Sequence, residues 1–235
     1  MRDGEIDDIL KKAAQAQPDP DPALLDKIAA SIQPNMRPVR PLPPAWLLAC
    51  GLGLICAATA LIVAALLGLH GIHAMNGIQT VIFAAVAALA GRAAMARTAE
   101  MIPGSRRQES PAALLALSCA LLAALFAALF RDQLSEHFVS QGIACLTAGL
   151  LTAAPVALAG WWLLRRGFAV NPTGAALAAG TLAGLAGVTM LELHCPNFQT
   201  WHVLVWHTAV LPVSAALAVL LTKLVQIRRA HTHSH

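Results

Sequence analysis

Six long apolar stretches, each parted from the next by a short polar or turn-forming segment, leave this chain few folds to choose from. They run Ala45–Leu69, Ile78–Ala96, Pro111–Phe130, Gly142–Leu164, Thr173–Leu193 and His202–Thr222. A helix needs roughly 20 such residues to cross the hydrocarbon of a bilayer. A crossing segment must also satisfy its own backbone there, which an isolated apolar run does as an α-helix. The composition agrees: of 235 residues, 57% are hydrophobic and 12% charged, against about 25% charged in a soluble domain. The first run starts too late and is too long for a cleavable signal peptide. The expectation is an all-α membrane protein. Six transmembrane helices (residues 45–222) follow a mostly disordered, short-helical N-terminal tail (1–44) and precede a short C-terminal tail (223–235).

Basic residues orient this array. With six spans both termini share one side of the membrane. Of the 16 Lys and Arg, only Arg131 falls in a loop on the other side. The positive-inside bias assigns the basic side to the cytoplasm, so the reading is a multi-pass protein of a bacterial inner membrane with both termini cytoplasmic. The net charge of +4 then reflects topology, and no direct contact with nucleic acid is expected.

The N-terminal tail carries two apolar stripes at helical spacing. Ile6, Ile9, Leu10 and Ala13 form one; Leu24, Leu25, Ile28 and Ile32 form the other, after Asp21-Pro22, an N-cap followed by proline at the first helical position. "QPNMRPVRPLPP" then cannot continue a helix and suits an extended tether. Up to Ile32 the tail holds Asp3, Glu5, Asp7, Asp8, Asp19, Asp21 and Asp26 against Arg2, Lys11, Lys12 and Lys27, a net −3. Stripes this narrow have no soluble core in the chain to bury against. They fit a segment that folds on a basic partner, the alternative being a disordered leader with incidental periodicity.

The chemistry gathers in "LELHCPNFQTWHVLVWH", Leu191 to His207, between the last two spans. Cys195 lies just beyond the outer end of the fifth span, and Cys145 near the outer start of the fourth. Both reach the side where disulfides persist, as a disulfide pair or as two ligands of one metal. Cys50, Cys56 and Cys119 sit inside spans, where a thiol serves as a small hydrophobe. His194, His202 and His207 add imidazoles, which with thiolates suit Zn²⁺ and copper. His207 lies about 8 Å deeper than His202 at 1.5 Å per residue, and Glu192 at a comparable depth is its natural partner. On an α-helix, however, His202 and His207 stand about 140° apart, so both need not meet one ion. The bland account is an interfacial cluster in which Glu192 and His207 lock two helices together. His70, His73 and His137 read as ordinary interfacial residues, and the terminal "HTHSH" lies on the cytoplasmic side. Gly180 and Gly184 stand in a GxxxG relation, for packing within one bundle or for a homo-oligomer face. There is no Walker motif, no dinucleotide-binding glycine pattern and no HExxH.

The cysteine of "GIACLTAG", the turn "RRGFAVNPTGAALAAGTLAGLAG" and above all "HCPNFQTWHVLVWH" resemble the NrsF family, the negative regulators of sigma factor SigF, six-helix inner-membrane anti-sigma factors. The resemblance implies that the N-terminal segment sequesters an extracytoplasmic-function (ECF) sigma factor; the apolar stripes read above then offer Ile6, Ile9, Leu10, Leu24, Leu25 and Ile28 for the contact. It also implies that outward cysteines, matching Cys145 and Cys195, respond to heavy-metal or oxidative stress, with a heavy-metal ion at that pair as one form of the signal. No enzymatic activity is expected. A heavy-metal transporter is the alternative, but it needs polar groups continuing across the membrane. A membrane thiol oxidoreductase needs a closely spaced pair such as CxxC, absent here.

Overall fold

The computed structural model describes Asp8, Lys12 and residues 21–32, 43–74, 77, 80–99, 110–130, 138–164 and 171–232. It divides into two units, one ending at Pro41 and one beginning at Leu42. In the first, helix α1 spans Pro22–Ile32. The Asp21 carboxylate accepts from the Ala23 N–H at 3.0 Å, the cap that Asp-Pro announces. Leu25 and Ile28 are exposed on this helix. Ile6, Ile9 and Leu10 lie outside the described residues, as does the side chain of Leu24.

The second unit is helical with no strand among the described residues. Its elements are α2 (Ala45–Leu67), the short α3 (His70–Ala74), α4 (Thr80–Ala99), α5 (Pro111–Leu129), α6 (Phe138–Leu164), α7 (Pro172–His194), α8 (Thr200–His202), a π-turn (Val203–His207) and α9 (Thr208–Thr232). Six helical segments are long and apolar enough to cross a membrane, the last formed by α8, the π-turn and α9 together. Two boundaries differ from the sequence expectation by more than three residues. The fourth span starts at Phe138 rather than Gly142. The last helix continues to Thr232, because nothing between Thr222 and that point breaks a run of good helix formers.

One helix is the axis of the bundle. In α7, 83% of the apolar window is buried, against 22–33% in the other five spans. The cause is its side chains: Gly174, Ala175, Ala176, Ala178, Gly180, Ala183, Gly184, Ala186 and Gly187 make a thin rod on which α2, α4, α5, α6 and α9 can all pack. A Cβ on Gly187 would come to 2.5 Å from the Gly149 carbonyl oxygen of α6, and one on Gly180 to 2.5 Å from Ala215 Cα of α9. The GxxxG pair is therefore used inside this chain. Ser214 Oγ donates to the Gly180 carbonyl at 2.8 Å, tying α9 to the same rod. The outer helices turn Leu54, Leu61, Leu66, Leu151, Leu158 and Leu221 outward, as a surface that meets lipid would. At its start α7 is capped by Asn171, whose side chain accepts from the Gly174 N–H, with Pro172 next in line.

Candidate functional site

At the far end of that rod the Cys195 N–H still donates to the Leu191 carbonyl, at 2.7 Å, and Pro196 then turns the chain out of the helix. The segment 195–199 is held to α6 by the Asn197 amide donating to Gln141 Oε1 at 2.9 Å. It folds on itself where the Gln199 N–H donates to Asn197 Oδ1. Phe198 stacks on Phe130, centroids 5.4 Å apart, and Phe126 meets the edge of His207. Apolar walls thus close over the loop and leave Cys195 buried.

Cys145 arrives from α6. Its thiol donates to Cys195 Sγ at 3.7 Å, and both are free thiols. That hydrogen bond pulls the Cys195 pKa below the ordinary thiol value. Burial opposes the shift, and His202 and His207 add to it.

The histidines meet because the helix is not an α-helix where they sit. The Thr208 N–H donates to the Val203 carbonyl, five residues back, and this wider turn brings residues five apart toward one face. His202 and His207 stand with ring centroids 5.4 Å apart, so the 140° separation expected of a regular helix does not hold. His202 Nε2 lies 3.7 Å from Cys195 Sγ. His207 Nδ1 donates to Glu192 Oε1 at 2.6 Å, and all three side chains are fully buried. Donor atoms of Cys145, Cys195, His202 and His207 all lie within 4.8 Å of one another, near enough to hold a metal ion.

Of the remaining residues singled out in the sequence, His194 turns elsewhere: its Nδ1 donates to the Gly68 carbonyl at 2.8 Å, and its ring meets His70 edge-on. Glu192 stands behind His207. His137 is outside the described residues. Gly142 carries a role that sequence reasoning missed. Trp206 lies so close over it that any Cβ there would enter the indole ring, so this glycine admits the tryptophan that flanks His207. Nothing local in the sequence signals it.

Fold and site together define a polytopic helical bundle with a buried thiol–imidazole cluster at one end of its central helix. The chain belongs to the NrsF family, negative regulator of sigma F, whose sequence profile matches residues 34–226. No curated protein and no solved structure matches it. Negative regulation of a sigma factor is therefore the activity its family carries.

Proposed function

We propose that this protein is a membrane-anchored anti-sigma factor which senses thiol-reactive stress outside the cytoplasm and answers inside it. Its N-terminal tail sequesters an ECF sigma factor through Ile6, Ile9, Leu10, Leu24, Leu25 and Ile28. Its bundle sits in the bacterial inner membrane with both termini cytoplasmic. Capture of a soft metal ion by Cys145 and Cys195, or their oxidation, rearranges the outer ends of the last three spans and releases the partner.

The observation that carries this reading is the meeting of Cys145 and Cys195, 50 residues apart in the chain, at 3.7 Å. Other features support it. The family profile begins at residue 34, so the stripes of the tail are outside it, as suits a segment matched to its own partner. A transporter is disfavoured: the buried hydroxyls of Thr98, Ser118, Thr152, Thr181 and Ser214 all donate to carbonyls of their own or a neighbouring helix. Among the described residues, the fully buried acid and imidazoles all belong to the one cluster and sit together at one end of the bundle rather than along it.

The test is release of the bound sigma factor from membranes holding the full chain. Cadmium or a thiol oxidant should free it from the wild type and leave it bound to a Cys145→Ser, Cys195→Ser double variant. A double variant that releases as the wild type does would end the sensing role. Leu25→Asp with Ile28→Asp should abolish capture while leaving the bundle folded, since both side chains are exposed.

A further inference from the structure

We infer that Cys145, Cys195, His202 and His207 are the four ligands of a single tetrahedral centre for a d¹⁰ divalent cation, Zn²⁺ or Cd²⁺, with Glu192 positioning His207. The inference deepens the proposed role of the cysteine pair and rests on that pair being the functional site. It does not depend on which protein the tail binds.

The first argument is that the donor atoms already stand at the spacing a metal needs. With Zn–S near 2.3 Å and Zn–N near 2.0–2.1 Å, tetrahedral angles put two sulfurs about 3.8 Å apart, and a sulfur and a nitrogen about 3.6 Å apart. The sulfurs here are 3.7 Å apart and Cys195 Sγ is 3.7 Å from His202 Nε2. Two edges therefore match the coordination polyhedron as they stand, whereas a disulfide would have to draw the sulfurs in to about 2.05 Å.

Orientation of the imidazoles is the second argument. Because His207 Nδ1–H is engaged by Glu192, the lone pair of the neutral ring is on Nε2. That atom is fully buried, faces the Cys195 thiol and makes no hydrogen bond of ordinary geometry among the described residues. A buried polar atom without a partner is costly, and a cation would satisfy it. Carboxylate, imidazole and metal in line is the arrangement by which an outer carboxylate fixes a histidine ligand. His202 also turns Nε2 to Cys195 Sγ, but its Nδ1 has no partner among the described residues; it is the less firmly held of the two.

Charge and softness narrow the occupant. Two thiolates neutralise a divalent ion, which lets the centre remain in an apolar surround. Two sulfurs with two imidazoles at tetrahedral positions favour Zn²⁺ and its heavier congener over the oxygen-seeking Mg²⁺ and Ca²⁺. The π-turn explains why an ion could find four ligands here, since only the widened turn brings His202 to the face of His207.

The test titrates Co²⁺ into the reduced, chelator-treated full chain in detergent. One Co²⁺ per chain should bind, with the intense visible bands of tetrahedral thiolate coordination, and Zn²⁺ or Cd²⁺ should displace it. Glu192→Gln should keep the stoichiometry and weaken binding about 10–100-fold, as loss of an outer partner does. His207→Gln should lose the tetrahedral spectrum, with Cys50→Ser as an unaffected control. The inference is overturned if the reduced protein, its thiols intact, binds no Co²⁺ or binds it octahedrally. It is equally overturned if His202→Ala and His207→Gln both bind as the wild type does. The two readings fail separately. Tetrahedral binding without cysteine-dependent release sinks the sensing role alone, and cysteine-dependent release without such binding sinks the four-ligand centre alone.

Discussion

A buried carboxylate beside a buried imidazole binds its neighbours to a particular chemistry. Glu192 holds His207 at 2.6 Å with no exposure to solvent on either side. Removing only the acceptor leaves the ring N–H unsatisfied, at a cost of about 1–3 kcal/mol. Glu192→Leu should therefore lower the thermal unfolding midpoint of the purified bundle, and Glu192→Gln, which can still accept, should lower it less. Equal losses would mean the hydrogen bond contributes nothing. At this scale the sequence was readable where composition made a residue conspicuous. Cys195, the flanking histidines and the depth of Glu192 stood out against an Ala/Leu background. What it hid was direction. His194 and Cys195 are adjacent, yet one faces Gly68 and the other the cluster, because consecutive residues at a helix end point to different sides.

Helices are where legibility was highest and also where it failed most informatively. The six spans follow from hydropathy and the close packing of α7 from its glycines, whereas its place at the centre of the bundle emerges only from the packing. Gly187→Ala should separate α7 from α6, since its Cβ meets backbone rather than a movable side chain, costing about 1–3 kcal/mol by overpacking. Gly91→Ala, with nothing within 4 Å, should be tolerated; melting the two side by side checks it. The π-turn had no signature, because an extra residue in a helix is a property of hydrogen bonding and packing rather than of residue type. It makes a sharp prediction. Deleting Val205 turns His202 and His207 into an i, i+4 pair on an ordinary α-helix, which still share a face. Inserting one alanine after Leu204 puts them on different sides. Cobalt binding should survive the deletion and fail in the insertion. The opposite ranking would show that the turn does not set the alignment.

Across the whole bundle the matter is distance. Gly71, just past the end of α2, packs against the carbonyls of Glu192 and Leu193, so α2 finishes beside the cluster. Its 23 residues, at 1.5 Å each, put its start about 34 Å away, and the tail joins the bundle there. In the proposed scheme a signal from the cluster to that end of the bundle has to pass along a full span, by moving α7 or its partners. Turning a population from 1:99 to 99:1 takes about 5.5 kcal/mol of differential binding, which a metal–thiolate site of roughly 10–16 kcal/mol supplies only if the four ligands are assembled in one state and apart in the other. The scheme also requires the two ends to face different compartments, which can be measured directly. With all five native cysteines replaced by serine, Trp201→Cys, at an exposed position beside the cluster, should react with an impermeant maleimide in intact spheroplasts. Ser31→Cys, exposed on α1, should react only after lysis. Labelling of both in intact cells, or of Ser31→Cys alone, would place the thiols and the tail contrary to the basic-residue bias and leave the sensor without an outside to sense.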